Sequence, residues 1–388
     1  MKKNIIFTSR DPGAANQLLP IIKKIQKDNF FNVYVVASDI ALDIFTDAGI
    51  QCIPFNGKVE GKYDHFDYKI DKNDLYTQGL IDKALDIFRK LKPDILFTGL
   101  SSVGFGIDEI MLYISKNENI STYTFIDFWG GYNSIENTVA QNIFVLDDYA
   151  KQLSTKRSYK NIYIAGSPKH QRNDRIDFMK ERQKNRNLFN AKEDTIVLTF
   201  FAQTLLIKSY YLNYLSVLNV LSSIRNLDIK FIIKSHPKEF HDIEKLTKCA
   251  ERHNLQPIVI KDKIDNKKLL LSSDIIMTCT SSIGMDHAYL SSYSNVTIGC
   301  VLYLRIGDEI QNYMIENFGF DVHPLVKSGI GYIAKDESDI QYYIENIKLN
   351  NDIIDNYFMR SKKLQTKKAI ERIVRIINVN ELTNCLIS

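Results

Sequence analysis

Short apolar runs rich in Ile, Val and Phe alternate along this chain with longer segments of helical period, and the whole alternation runs through twice. Such runs read as strands buried on both faces of a parallel sheet, with the helical segments as the crossovers between them. In the first pass the pattern predicts strands at 4–8, 32–37, 51–54, 94–98, 122–126, 142–146 and 161–165, with helices at 14–26, 40–48, 73–91 and 106–115. Gly49 and Pro93 stop two of these helices, because glycine takes the left-handed cap and proline disfavours helix in the residue before it. The second pass predicts strands at 195–200, 230–233, 257–260, 274–277, 295–298 and 331–333, with helices at 207–223, 239–254, 266–271 and 282–291.

A chain of 388 residues is too long for one ordinary core. The predicted fold class is therefore α/β, with two Rossmann-like, doubly wound parallel-sheet domains at 1–168 and 195–350. A basic helical linker at 169–194 joins them, and a C-terminal helix at 351–388 has no strand partner. That helix must pack across an existing surface, and the first domain is the candidate.

Charge and cysteine usage narrow the function. Fifty Lys and Arg against 46 Asp and Glu give a net charge of +4, too little to argue for a nucleic-acid partner. Cys52, Cys249, Cys279, Cys300 and Cys385 lie far apart, with no paired spacing, as in a reduced cytosolic protein. No metal-ligand spacing is present, and Asp147-Asp148, which follows a strand and precedes a helix, reads as a helix cap. Met1-Lys2-Lys3-Asn4 leads straight into a strand and no apolar run is long enough to span a bilayer, so the expected location is the cytoplasm. Basic stretches at 180–186 and 360–368 suggest peripheral membrane association with anionic lipid, at the inner face of the membrane; solvated helix faces are the plainer reading.

Open α/β sheets bind ligands beyond the carboxyl ends of their strands, so the loops there hold the candidates. The first strand runs into Ser9-Arg10-Asp11-Pro12-Gly13-Ala14-Ala15-Asn16, where Asp11 either caps a helix with Pro12 at its first position or meets a ligand alongside Asn16. The loop at 98–106 is rich in glycine and serine, including Ser101, but carries no nucleotide fingerprint. Asp127-Phe128-Trp129-Gly130-Gly131-Tyr132 puts an acid among aromatic rings, a setting that raises a carboxyl pKa and suits a general base.

In the second domain, Gln203 follows the opening strand. Lys234-Ser235-His236-Pro237 ends the next, and Thr280-Ser281-Ser282-Ile283-Gly284-Met285-Asp286 opens a helix whose unpaired N–H groups favour an anion. Pro237 holds His236 out of helical geometry. A second pair, His323-Pro324, follows no clear strand and reads as a loop.

A strand ending in His-Pro, followed by a strand ending in Ser-Ser-x-x-x-Asp, resembles the second domain of CDP-glycerol glycerophosphotransferases. It is also similar to the His-Pro and Ser-Ser motifs of bacterial polysialyltransferases and capsule Kdo transferases. The opening Arg10 to Asn16 turn and Asp127-Phe128-Trp129 look like those of a group of bacterial polysaccharide-synthesis proteins. The resemblance implies a GT-B fold, two Rossmann-like domains facing a cleft, and a cytoplasmic glycosyltransferase.

On that basis the donor is a nucleotide-activated sugar, with CMP or CDP favoured, and the partner is a glycan or lipid-linked acceptor of a surface polysaccharide. No cofactor or metal is implied. His236, Lys234, Pro237, Thr280, Ser281, Ser282, Asp286 and Gln203 would hold the donor nucleotide and phosphate. Asp127 or Asp11 would act as base, and Asn16, Ser101, Trp129 and Tyr132 would lie on the acceptor side. Two departures stand out: Cys279-Thr280 replaces the usual Asp-Tyr, and the Glu-Asp-Gly motif of polysialyltransferases is absent. UDP-GlcNAc 2-epimerases share the two-domain plan but carry an acidic pair after a Gly-Gly turn, where this chain has Asp286-His287. A non-catalytic nucleotide- or glycan-binding partner is the third reading.

Overall fold

The structure, a computed structural model, describes residues 2–60, 67–71, 73–101, 104–130, 133–155, 159, 161–203, 208–236, 241–261, 265–349, 351–364 and 367–382. The chain divides into two compact units, Met1–Gln171 with Thr366–Ser388, and Arg172–Gln365.

Unit 1 holds strands β1 (Lys3–Ser9), β2 (Phe31–Ala37), β3 (Ile53–Pro54), β4 (Asp67–Tyr68), β5 (Ile95–Gly99), β6 (Ser121–Ile126), β7 (Ser134–Ile135), β8 (Asn142–Val145) and β9 (Asn161–Ile164). Its helices are α1 (Pro12–Asp28), α2 (Asp39–Asp47), α3 (Leu75–Leu91), α4 (Ile107–Ser115) and α5 (Asp148–Thr155). The main sheet has the order β3-β2-β1-β5-β6-β8-β9, all parallel, and β4 pairs with β7 in a separate two-stranded piece. Register sets Ile5 opposite Val33 on one side and Ile95 on the other. Both faces are covered, which is why Ile5, Ile6, Phe7, Ile95, Leu96 and Phe97 are all fully buried.

A 3-10 segment, Pro168–Arg175, precedes α6 (Phe178–Asn187). Unit 2 then runs β10 (Ile196–Phe201), α7 (Lys208–Ser223), β11 (Ile229–Lys234), α8 (His241–Arg252), β12 (Ile258–Ile260), α9 (Asn266–Ser272), β13 (Ile275–Thr278), α10 (Ile283–Tyr293) and β14 (Cys300–Leu304). It finishes with α11 (Glu309–Phe318), α12 (Pro324–Lys327), β15 (Tyr332–Ala334), α13 (Glu337–Asn346) and α14 (Asn351–Ser361). Its sheet is also all parallel, in the order β12-β11-β10-β13-β14-β15.

The strand expected at 295–298 forms five residues later, as β14. Gly299 explains the delay: at φ +101° it passes so close to the carbonyls of Ser273 and Asp274 that a Cβ would lie 2.6 Å from each oxygen. The terminal segment splits, with α14 packed on α10 in unit 2 and α15 (Ala369–Leu382) returning to α1 in unit 1.

The basic segment before β10 is docked on unit 2 by charge. Asp274, 1% exposed, receives Arg182 Nη2 at 2.7 Å, Arg186 Nη1 at 2.9 Å, Lys348 Nζ at 3.2 Å and the Val197 N–H at 2.8 Å. The two guanidinium groups also donate to the carbonyls of Leu271, Ser273, Lys192 and Thr195.

Of the basic stretch 180–186, the two arginines are thus spent inside the protein, while Lys180 and Lys184 are exposed. The stretch at 360–368 is partly committed too: Arg360 donates to Gly329 O at 2.7 Å, and Lys362 to the carbonyls of Ser292 and Ser294. Among the described residues no helix is long and apolar enough to cross a membrane.

Burial pushes the Asp274 carboxyl up, but Arg182, Lys348 and Arg186 outweigh it and hold the group below the usual carboxylate range. Its contribution to stability is therefore complete above the unfolded-state value of about 3.9 and is lost as pH falls through the lower folded value. Asp274→Ala leaves two buried guanidinium groups without their acid and is expected to cost about 3–5 kcal/mol in urea denaturation at neutral pH. The variant should also lose part of the acid-limb slope; an unchanged midpoint would contradict the anchoring role.

Candidate functional site

In unit 2 the strand order reverses beside β10. The chain leaves β10 through α7 to β11 and β12 on one side, then crosses by α9 to β13 on the other. A reversal of this kind leaves a crevice beyond the strand ends that no crossover covers. The residues at that edge are Ala202 and Gln203 after β10, Cys279 to Ser282 after β13, and Ser235 and His236 after β11.

Gln203 ties these loops together. Its Oε1 accepts from the hydroxyl of Thr278 at 3.1 Å, the N–H of Cys279 at 3.0 Å and the N–H of Thr280 at 2.8 Å. Its Nε2 donates to Thr280 Oγ1 at 2.8 Å, which also bonds the Tyr210 hydroxyl at 2.8 Å. Gln203 and Thr280, expected as nucleotide contacts, are both half-buried at this edge and use these groups to shape the loop. On the other side, the Ala202 N–H donates to Lys234 O at 3.0 Å and Ser235 N–H to Ile260 O at 3.2 Å, so the ends of β10, β11 and β12 are also joined.

Lys234 is buried at the last position of β11, His236 is half-buried two residues on, and Pro237 lies outside the described residues. Across the crevice Ser281 Oγ accepts the N–H of Ile283 at 3.2 Å, and the exposed Ser282 occupies the N-cap of α10 with no side-chain cap of its own. Gly284 allows Tyr303 to come up beneath this first turn, since a Cβ there would lie 2.1 Å from the Tyr303 hydroxyl. Asp286 is half-buried in the same turn. One strand separates β11 from β13, so the His236 loop and the α10 start are about 10 Å apart, two strand spacings.

Neighbouring histidines have other work. His287 is fully buried, bonded to the Tyr357 hydroxyl at 2.8 Å, and burial pulls its pKa down to about 3. His323 lies in a loop as expected, where it caps α12 by accepting the Leu325 N–H, and its ring stacks on Tyr303 at 4.1 Å.

Unit 1 reverses between β1 and β5. Pro12 stands at the first position of α1 as expected, but Asp11 makes no side-chain cap. Asn16, placed on the acceptor side from sequence, donates back to Pro12 O at 2.6 Å. Asp127 is half-buried against the first turn of α1, so close to Gly13 that a Cβ there would meet its Oδ2 at 2.3 Å. A helix start favours a negative charge, which is a different setting from the ring of aromatics expected.

Trp129 is committed elsewhere. It is 2% exposed and its Nε1 donates to both oxygens of Asp147, at 3.1 and 3.0 Å, while Asp147 caps α5 through the Ala150 N–H. Ser101 is likewise buried, with its hydroxyl donated to Asp108 Oδ2 at 2.5 Å, so neither residue presents a surface to an acceptor. Tyr132 lies outside the described residues.

A buried charged cluster escaped the sequence reading. Asp108 also accepts from the Thr8 hydroxyl at 2.6 Å, Glu109 accepts the Gly106 N–H at 2.9 Å, and Arg10 donates to Gly104 O at 3.3 Å. Burial raises the Glu109 pKa to about 7, with Arg10 pulling it down and Asp108 pushing it up. Two adjacent acids in the first turn of an otherwise apolar helix were the available signal. They also line a cavity of about 30 Å³ with Asn133, room for a water or two.

No protein-family model and no curated protein matches this chain. Solved structures do match over nearly its full length. UDP-GlcNAc 2-epimerase from Neisseria meningitidis, bound to UDP-GlcNAc, is 14% identical with a TM-score of 0.66, covering 96% of this chain and 99% of its own. A glycosyltransferase from Rickettsia africae is 12% identical with a TM-score of 0.66, covering 99% of each chain. MurG from Acinetobacter baumannii is 12% identical with a TM-score of 0.59, covering 97% and 99%. The fold is GT-B.

Gln203→Ala is expected to leave the N–H groups of Cys279 and Thr280 unpaired and cost about 1–3 kcal/mol in urea denaturation. A wild-type midpoint would mean that the loop is held without Gln203.

Proposed function

We propose that this protein is a glycosyltransferase that moves a sugar from a nucleotide-activated donor to a glycan acceptor. What supports the reading is the strand order, which sets the His236 loop after β11 and the start of α10 after β13 on the two sides of β10, with the β10 and β13 loops tied by Gln203. A phosphate above the end of β10 would be within reach of both sides. The GT-B fold shared with a glycosyltransferase and with MurG supports the same reading.

In the reaction an acceptor hydroxyl oxygen bonds to the anomeric carbon as the bond from that carbon to phosphate breaks. The proton passes to Asp127, or to Asp11 as the second candidate, and the nucleotide leaves with the electron pair. His236, Lys234 and the N–H groups opening α10 stabilise the charge on the leaving phosphate, and such a donor is worth roughly 3–4 kcal/mol in the best cases. The His-Pro and Ser-Ser pair favours a cytidine nucleotide, and the acceptor class is a surface polysaccharide or its lipid-linked precursor.

Sugar-nucleotide epimerisation is the second reading, favoured by the structural likeness to a protein bound to UDP-GlcNAc. The buried, low-pKa His287 beside Asp286 gives that reading no acidic pair at the start of α10.

Melting the protein with CMP, CDP, UDP and GDP is the direct test, since a ligand of the native state raises the midpoint. A cytidine nucleotide should give the largest rise. His236→Ala should cut turnover about 100- to 1,000-fold at an unchanged melting temperature. Near-normal turnover, or conversion of a sugar nucleotide with no acceptor present, would overturn the transferase reading.

A further inference from the structure

Three charged side chains are buried together where the unit 1 strand order reverses. Arg10 is 2% exposed, Asp108 1% and Glu109 4%, so two acids share one guanidinium away from solvent. The other groups facing them do not restore the balance. Arg10 also stands near Asp11 and Asp39, and burial keeps the Tyr68 phenol that faces Glu109 neutral. Lys58 has its Cβ 3.6 Å from where a Gly106 Cβ would stand, but its amine pairs with Glu60 at 3.0 Å.

Donors are shared unequally between the two acids. Among the described hydrogen bonds Asp108 takes a hydroxyl on each oxygen, from Thr8 at 2.6 Å and Ser101 at 2.5 Å, while Glu109 takes one donor, the Gly106 N–H at 2.9 Å. A buried surplus of acid is relieved by binding a proton, and the acid with fewer donors is the one that takes it. Both acids border the cavity of about 30 Å³, whose room for a water gives that proton a route to solvent. Burial lifts both carboxyls, and for Glu109 it outweighs Arg10 and is aided by Asp108, to about 7.

What the proton governs is the segment that covers it. Arg10 donates to Gly104 O at 3.3 Å, Asn133 Nδ2 donates to the same oxygen at 3.0 Å, and the Tyr68 hydroxyl oxygen accepts the Gly104 N–H at 2.8 Å. Arg10 Cδ and Nε lie 3.0 and 3.2 Å from where a Gly106 Cβ would stand, so the start of α4 rests on this side chain. A second ionised acid under this segment is a buried charge that local opening would hydrate.

We propose that Glu109 is a proton-operated latch on the Gly104–Gly106 segment at the crevice edge of unit 1, closed while its carboxyl is protonated and loosened when the proton passes to solvent water. The latch stands on the buried cluster and does not require the transferase reading. The folded state holds this proton more tightly than the unfolded chain, whose glutamates titrate near about 4.3. Its stabilising contribution is therefore complete below that value and is lost as pH rises through about 7.

Urea unfolding followed by the emission of Trp129, which lies in unit 1, tests the latch at about pH 5 and about pH 8. Glu109→Gln keeps an acceptor for the Gly106 N–H and has no proton to lose. Between those two pH values the unfolding constant of the wild type should rise at least about tenfold relative to that of the variant. Asp147, bonded to Trp129 and also raised by burial, is present in both proteins and cancels. Amide exchange of the Gly104–Gly106 segment should be faster in the wild type than in the variant at the higher pH and equal at the lower. If the variant fails to fold, infrared spectra of the native wild type decide, since the carbonyl stretch of a protonated carboxyl should be present at about pH 6 and gone by about pH 8. A ratio of unfolding constants that ignores pH, equal exchange at both pH values, or no carboxyl band at the lower pH would each overturn the proposal.

Discussion

A sheet of parallel strands buried on both faces leaves its chain one uncovered place, the point where successive crossovers turn in opposite directions. In unit 2 that point lies beside β10, where the loops after β10 and β13 meet. The apolar strands fix where the loops emerge, but hydrophobic burial is non-directional and cannot fix their shape. The amide of Gln203 supplies that direction, holding three donors on one oxygen across the β10–β13 boundary. The loops at this edge are thus held by the protein's own hydrogen bonds.

The two units solve the same problem with different charges. Unit 2 places its buried ion network at the strand starts, where Asp274 gathers Arg182, Arg186 and Lys348 and welds α6 to the sheet. Unit 1 places Arg10, Asp108 and Glu109 at the strand ends, under the loops that border its own crevice. Burying such groups costs free energy unless partners are supplied, and here the partners come from elements distant in sequence.

That distance explains what could be read from the sequence. The central strands were legible because burial on both faces writes itself as an unbroken apolar run, as in Ile5-Ile6-Phe7 and Ile275-Ile276-Met277. The return of the terminal helix to unit 1 followed from its lack of a strand partner. β14 was misplaced because nothing local shows that Gly299 must first pass against the carbonyls of Ser273 and Asp274. Ser101 and Trp129 looked available because each sits in a loop rich in small residues. Their commitments to Asp108 and Asp147, seven and eighteen residues on, depend on how the intervening chain turns back, which no sequence period records.

The burial of Trp129 has a practical side. It is the only tryptophan in the chain, and it lies wholly within unit 1, pinned between a strand end and α5. Indole emission therefore follows the unfolding of that half alone, while far-ultraviolet circular dichroism follows the helices of both. A gap between the two curves would measure how independently the halves come apart, and coincident curves would mark them as one cooperative body.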